Sequence, residues 1–414
     1  MLIFVCHHWR DLTCYPAYLQ LSPCRGAMVT VSEELALRNG DVGSPDRLSS
    51  GKIPCLLFVT VRTGHVVGWF NAALISVPRS LSMNASLSQR PSTWSAIHSL
   101  TAEDKVAMAA LRSEVEPLKG KLQGTSARQP FDAIMERVSA PKDVSFEADT
   151  IGGIAGWWCR PSRAKSGQVI LHLHGGWFNW GTAHAYRNFV GHIAASAGAA
   201  AFVPDYRLAP EHVFPAAVTD VESCYDGLVE RRFGRIAVTG DSAGGGLALV
   251  LSRLVTERTA NVVAPVGAVA LSPVTDLTLS GQSWKTRAAA DPYFVESQAS
   301  KLVGSYLNGA DPTAPKASPL NGDLTGVPPV RVHVGEDEVL LDDSLRFVAR
   351  AVEAGVDARV DVWQGMAHGF ASGVGTLVAA TQAVAAIGAF LAGRLDAADT
   401  GNDPTAGKFR RYAD

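Results

Sequence analysis

Arg235-Ile236-Ala237-Val238-Thr239-Gly240-Asp241-Ser242-Ala243-Gly244-Gly245 decides the reading of this chain. Its first five residues form a β-rich run, and a small, apolar segment follows, Gly246-Leu247-Ala248-Leu249-Val250-Leu251. Strand, tight turn and helix in that order are the context of a nucleophile elbow. Ser242 sits at the tip, in a strained backbone conformation that lifts its hydroxyl clear of the sheet. Gly240 and Gly244 flank it because a side chain at either position would collide with the neighbouring strand or helix. The helix that starts there aims its positive end at the point where an oxyanion would form. A Gly-x-Ser-x-Gly pentapeptide is weak alone, since an ordinary glycine-rich turn has the same composition. Its flanks carry the argument.

A second glycine turn lies upstream. Val169-Ile170-Leu171-His172-Leu173 reads as a buried strand running into His174-Gly175-Gly176-Trp177. Acyl transfer passes through a tetrahedral oxyanion that needs two or three fixed backbone N–H donors, and a turn with minimal side chains exposes them. The turn Gly175, Gly176 and Trp177, with Ala243 after the nucleophile, supplies the candidate oxyanion hole; the N–H groups of Gly176, Trp177 and Ala243 are the natural set. His174 reads as a structural histidine that pins the turn. His172 and His174 would share one face of a strand, but no third ligand lies nearby in sequence, so no metal site is expected.

These motifs resemble the hormone-sensitive-lipase-like (GDSAGG-type) esterases of the α/β-hydrolase superfamily. The resemblance rests on His174-Gly175-Gly176-Trp177, on Val203 to His212 with its Asp205-Tyr206-Arg207-Leu208-Ala209-Pro210 core, and on Gly240 to Gly245. Asp337-Glu338-Val339-Leu340-Leu341-Asp342-Asp343 and Gly365-Met366-Ala367-His368-Gly369-Phe370 follow in the family's order. It covers roughly residues 95 to 395. The chain departs from the commonest pattern at Trp177, where many members carry a third glycine. Only the backbone N–H is needed there, so the oxyanion hole should survive while the indole narrows the acyl side of the pocket.

The resemblance implies an α/β-hydrolase fold, a mostly parallel central sheet flanked by helices, with a helical cap or lid. A serine hydroxyl needs a histidine base, itself oriented by a carboxylate. In this fold the three run along the chain as Ser, acid, His. Only His333 and His368 follow Ser242. His333 falls inside the apolar strand Val330-Arg331-Val332-His333-Val334, whereas His368 lies in a loop between Gly365 and Gly369. A loop is where a proton shuttle belongs, and His368 is the choice. Two adjacent acids compete for the third role. The family's spacing to Leu340 and Asp342 lands on Glu338, and Asp337 is the alternative. Asp205 and Arg207 read as residues that fix loop geometry. Trp177, Phe178, Trp180, Tyr206, Phe214 and Phe370 are candidates for an apolar pocket, of which half are expected to be plain core.

Composition fits an enzyme without naming it. At 414 residues and 47% hydrophobic content the chain can bury one large core plus an appendage. Its 37 basic and 39 acidic residues give a formal net charge of −2, so neither nucleic acid nor an anionic membrane surface is expected as a partner. Cys6, Cys14, Cys24, Cys55, Cys159 and Cys224 are scattered, which favours reduced thiols and a cytoplasmic location over a disulfide framework.

The organisation is uneven. Residues 1–82 match nothing in the family and form an unmatched leader, disordered or not native; translation from Met83 or nearby is one reading. Met1-Leu2-Ile3-Phe4-Val5-Cys6 lacks the basic start of a secretory signal. Ile53 to Val77 is apolar but broken by Arg62, His65 and Asn71, so stable membrane insertion is not expected. Residues 83–143 are assigned to N-terminal cap helices, with about 95–140 read as helical from Thr101-Ala102-Glu103-Asp104 and the recurring apolar positions after it. Residues 144–396 alternate strands and helices, the pattern of the catalytic domain. A second cap segment is expected at about 276–319, and 397–414 is a polar tail.

The expected function is a serine carboxylic-ester hydrolase acting on short to medium acyl esters through an acyl-enzyme, with a small-molecule ester substrate, no cofactor, and a homo-oligomer left open. The alternatives are a lactone or acetylated-metabolite hydrolase, an acyltransferase or amidase on the same triad, and a binding-only receptor. An acceptor alcohol assayed against water separates the transferase. The presence of His368 argues against the receptor. An unperturbed histidine titrates near about 6.5, which predicts a rise in kcat/KM over roughly pH 6 to 7.5.

Overall fold

The computed structural model describes residues 94–258 and 263–397, together with the backbone of four short strands nearer the N-terminus. The chain divides into two units, Met1–Ser88 and Gln89–Asp414. In the first, β1 (Leu2–Val5) pairs antiparallel with β2 (Tyr15–Tyr18), and β3 (Phe58–Thr63) with β4 (Val66–Asn71). The other readings of the leader, and that of the tail beyond residue 397, lie outside the described residues.

The second unit begins with β5 (Ser95–His98), α1 (Ala102–Val115) and α2 (Arg128–Met135). Next come β6 (Val144–Ile151), β7 (Ile154–Pro161), β8 (Gln168–Leu173), α3 (Ala183–Ala197) and β9 (Ala200–Pro204). Then α4 (Ala216–Glu230), β10 (Arg235–Asp241), α5 (Ser242–Thr256) and β11 (Gly267–Leu271) lead to α6 (Ser283–Thr286) and α7 (Glu296–Leu307). The chain closes with β12 (Val330–Gly335), α8 (Leu341–Glu353), β13 (Ala358–Trp363) and α9 (Val378–Asp396).

Nine strands make one sheet in the order β5-β13-β12-β11-β10-β8-β9-β7-β6. Only β6–β7 and β7–β9 pair antiparallel. The central strands β8, β10 and β11 are apolar and buried on both faces, as a parallel sheet covered by helices requires. At one edge, β6 alternates exposed and partly buried positions. On one side α3 and α9 pack together through Phe189, Ile193, Ile387 and Leu391. Thr182 caps α3 by accepting the Ala185 N–H, and Gly198 ends it with φ 64°. Among the described residues, α9 alone is long and apolar enough to cross a membrane, and its apolar face is buried against α3 and the sheet.

Ser95–His98 differs from the expectation of helix from about residue 95. It adds a ninth strand, parallel to β13, with His98 stacked on Trp363 at 3.9 Å and bonded to Asp361 at 2.8 Å. Four residues carry no helical period of their own, so sheet pairing decides their conformation. Helix begins at Ala102, where Thr101 accepts the Asp104 N–H.

One buried acid predicts a pH effect on stability. Asp343, fully buried at the start of α8, accepts the N–H groups of Thr275 (2.7 Å) and Asp276 (3.0 Å) through Oδ2, while Oδ1 has no partner. Burial pushes its carboxyl up to about 7, against the two N–H bonds and with Asp276 and Arg346 nearby. Its folded value exceeds the unfolded one, so its contribution is complete below about pH 4 and is lost as pH rises towards 7. Asp343→Asn keeps an oxygen for both N–H groups and cannot ionise. Denaturant melts should show this component, at most ~1.4 kcal/mol per pH unit, in the wild type and not in the variant. Parallel curves for the two proteins would show that folding leaves the Asp343 pKa unshifted.

Candidate active site

The end of β10 delivers Ser242 to the C-terminal edge of the sheet, where open α/β sheets carry their ligands. Ser242 has φ 53°, the left-handed backbone demanded by a sharp strand-to-helix reversal. A Cβ on Gly240 would run into the Gly244 carbonyl, and one on Gly244 into the carbonyls of Leu173 and His174. Both glycines therefore let backbone meet backbone, and the turn cannot form without them. Beyond the serine, the Val274 N–H donates to the Ser242 carbonyl at 3.0 Å, tying the turn to the segment after β11.

The upstream turn is fixed by its neighbours. Gly176 has φ 115°, and a Cβ there would strike the Trp180 carbonyl. His174 is buried, donates through Nδ1 to the Gly175 carbonyl at 2.8 Å, and stacks on Tyr206 at 4.3 Å. Burial holds its imidazole below the usual range, so it is a neutral packing group. His172 lies instead beside Thr239 Oγ1 (2.9 Å) and Asp241. Among the described residues no group of three metal-ligating side chains converges.

Gly175 must be removed from the candidate oxyanion hole. Its N–H already donates to Asp241 Oδ1 at 3.0 Å, so it cannot serve an oxyanion. The N–H groups of Gly176 and Trp177 have no acceptor among the described residues. That of Ala243 lies in the first turn of α5, which has no intrahelical acceptor for it. Asp241 Oδ2 accepts the Tyr186 hydroxyl at 3.0 Å, so one carboxylate next to the serine anchors the whole turn.

Three consecutive acids follow β12, each with a different partner. Glu336 faces Arg287 at 3.6 Å, Asp337 pairs with Arg112 at 2.7 Å, and Glu338 Oε2 accepts from His368 Nδ1 at 2.8 Å. The geometry thus chooses Glu338 over Asp337 as the histidine's partner. Glu338 is fully buried, and its Oε1 accepts from Ser272 Oγ (2.8 Å) and the Gly335 N–H (2.5 Å), leaving it little freedom to turn. Burial of His368 pulls its pKa down, but the Glu338 bond and the nearby charges of Glu338, Asp291 and Asp241 outweigh it, and the net direction is upward. His333, by contrast, is buried beside Trp363 and pushed down to about 4 by burial.

Ser242, His368, Gly176 and Trp177 line one cavity of 470 Å³, together with Leu111, Leu118, Phe131 and Ile134 from the 102–135 region and with Phe294. Phe294 stands edge-on to both Trp177 (5.4 Å) and His368 (5.0 Å). Of the six aromatic residues proposed for the pocket, Trp177, Trp180 and Phe370 line it. Phe178 and Phe214 pack on Tyr306, and Tyr206 on His174. Asp205 accepts the Ala183 N–H at the start of α3, and Arg207 forks onto Asp220, so both fix loops.

Comparison with known proteins gives the family. A family model described as alpha/beta hydrolase fold matches residues 170–372. An acetyl-hydrolase of Streptomyces hygroscopicus is 38% identical over 53% of this chain and 73% of its own length. An esterase of Acinetobacter venetianus is 33% identical over 66% of this chain and 90% of its own. A crystal structure of an esterase from the bacterial hormone-sensitive lipase family superposes with TM-score 0.66 at 34% identity, covering 72% of this chain and 99% of that one. The chain belongs to the hormone-sensitive-lipase-like esterase family. In this family member four site residues escaped sequence reasoning: Asp241 as an anchor, Ser272, Asp291 and Arg112. Ser272 had a signal, since it directly follows the C-terminal end of β11. Arg112 and Asp291 had none, because each acts across a long span of chain.

Proposed function

We propose that this protein hydrolyses carboxylic esters by a serine acyl-enzyme mechanism. The observation that carries the reading is that His368, bonded to the buried Glu338, lines the same cavity as Ser242 and the Gly176-Trp177 turn. With Nδ1–H donated to Glu338, the His368 Nε2 is left unprotonated to take the Ser242 proton. Ser242 Oγ attacks the ester carbonyl, and the oxyanion is held by the N–H groups of Gly176, Trp177 and Ala243, with the start of α5 adding its positive end. His368 then protonates the leaving alkoxide, and later activates the water that releases the acid. No cofactor enters any step.

The lining argues for a neutral substrate. Its charged groups are engaged: Lys119 with the carbonyls of Ala288 and Asp291, Arg137 with Glu114, Asp241 with Gly175 and Tyr186. The helices α1 and α2 with the 276–319 segment act as the cap. Trp177 and Phe294 stand beside the nucleophile and bound the acyl side, so a short chain fits more readily than a long one. A p-nitrophenyl ester panel tests this. Acetyl to hexanoyl esters should turn over well, with a steep loss by dodecanoyl; rising activity with length would mean that the indole leaves the acyl path open. The same panel run against pH should show kcat/KM rising through the His368 pKa as the imidazole becomes neutral. Because that pKa lies above the ordinary value, the limb should sit on the alkaline side of about 6.5. A limb on the acid side would mean that Glu338 does not hold the ring in the working enzyme.

A further inference from the structure

The two neighbours of Glu338 in the chain are each fastened by a residue far away in sequence. On one side, the Asp337 carboxylate receives Arg112 from the last turn of α1 at 2.7 Å. On the other, the Val339 N–H donates to Asp291 Oδ2 at 2.9 Å. Asp291 is fully buried, and its second oxygen accepts the N–H groups of Tyr293 (2.8 Å) and Phe294 (3.0 Å). The two fastenings are themselves joined. Arg112 also donates to the Ala290 carbonyl, and Lys119 to the carbonyls of Ala288 and Asp291. Gly120 N–H adds a bond to the Tyr293 carbonyl at 2.9 Å.

We infer that Arg112 and Asp291 are positioning residues for ester hydrolysis: together they clamp the loop that carries Glu338, so the helices over the cavity set the register of the acid as well as covering substrate. A loop acid held only by its own strand could swing at both flanking peptides. Here the peptide after it is pinned to a buried carboxylate and the side chain before it to a guanidinium. Displacement of Glu338 by a fraction of an ångström would lengthen its bond to His368 Nδ1, and misplacement on the ångström scale costs up to about a hundredfold in rate. Asp291 also aims Phe294 at the His368 ring, through the turn it caps.

This inference rests on Glu338 being the acid of the triad, and its test separates the two. Glu338→Gln is measured beside Arg112→Met, Arg112→Lys and Asp291→Asn, with a short-chain ester as probe and thermal melts alongside. Asp291→Asn keeps one oxygen for Tyr293 and Phe294 but turns an amide NH2 towards the Val339 N–H, releasing that peptide alone. The clamp predicts that Arg112→Met and Asp291→Asn lower kcat about ten- to a hundredfold with KM within about twofold. Arg112→Lys should recover part of the loss. The pH limb supplies the sign. His368 faces Glu338, Asp291 and Asp241, and removing a cation such as Arg112 would by charge alone raise its pKa. Loosening the Glu338 bond lowers it, so the Arg112→Met limb should move to lower pH. Lower melting temperatures with unchanged kcat and an unmoved or raised limb would overturn the clamp. Near-native activity in Glu338→Gln would instead remove the triad reading on which it stands.

Discussion

Ser242→Ala should lose ester hydrolysis by on the order of a thousandfold or more in kcat, with the fold and melting behaviour kept. The substitution deletes one oxygen from a buried tip whose backbone is fixed by other atoms: Gly240 and Gly244 below it, and the Val274 N–H on its carbonyl. The small alanine side chain tolerates the left-handed conformation no better than serine, so any destabilisation should be slight. Binding of a short ester should persist, because the cavity walls and the Gly176-Trp177 turn are untouched. Burst and steady-state assays with p-nitrophenyl acetate check the loss, and circular dichroism checks the fold. A folded variant retaining near-native turnover would remove Ser242 as the nucleophile.

Glu338→Gln should lower kcat by between about a hundredfold and ten-thousandfold. The glutamine amide would present either an NH2 to the imidazole, forcing the wrong tautomer, or its oxygen to His368 and its NH2 to the Gly335 N–H. The first puts the proton on Nε2 and removes the base; the second leaves a buried donor facing a donor. Asp337→Asn, one residue away, keeps an oxygen for Arg112 and should cost less than about tenfold. The contrast between adjacent acids is the decisive comparison. A larger loss at Asp337 would transfer the orienting role to it.

What could be read from the sequence was whatever depended on local backbone geometry. Gly240 and Gly244 announce the turn around Ser242 because a side chain at either would meet a backbone carbonyl. His368 was legible because the only rival, His333, sits in an apolar strand. The identity of the acid was not, since Glu336, Asp337 and Glu338 are chemically interchangeable until their directions are known. Those directions are set by Arg287, Arg112 and His368. Gly175 was misjudged for a related reason: its N–H is free by local geometry and is taken by Asp241, 66 residues later. Ser95–His98 carries too few residues for a period, and only its pairing with β13 makes it a strand.

The Asp241 carboxylate has a consequence for how the site behaves through a full catalytic cycle. It lies beside Ser242 in the chain, yet holds the Gly175 N–H and the Tyr186 hydroxyl on the opposite wall. The segment that carries the nucleophile and the turn that would cradle the oxyanion are thus tied together without substrate. Negative charge developing on the carbonyl oxygen finds its dipoles already oriented, with little reorganisation energy left to supply. Acylation and deacylation meet the same cradle, so the two tetrahedral species should be stabilised alike. Slackening that single carboxylate would tax both half-reactions at once.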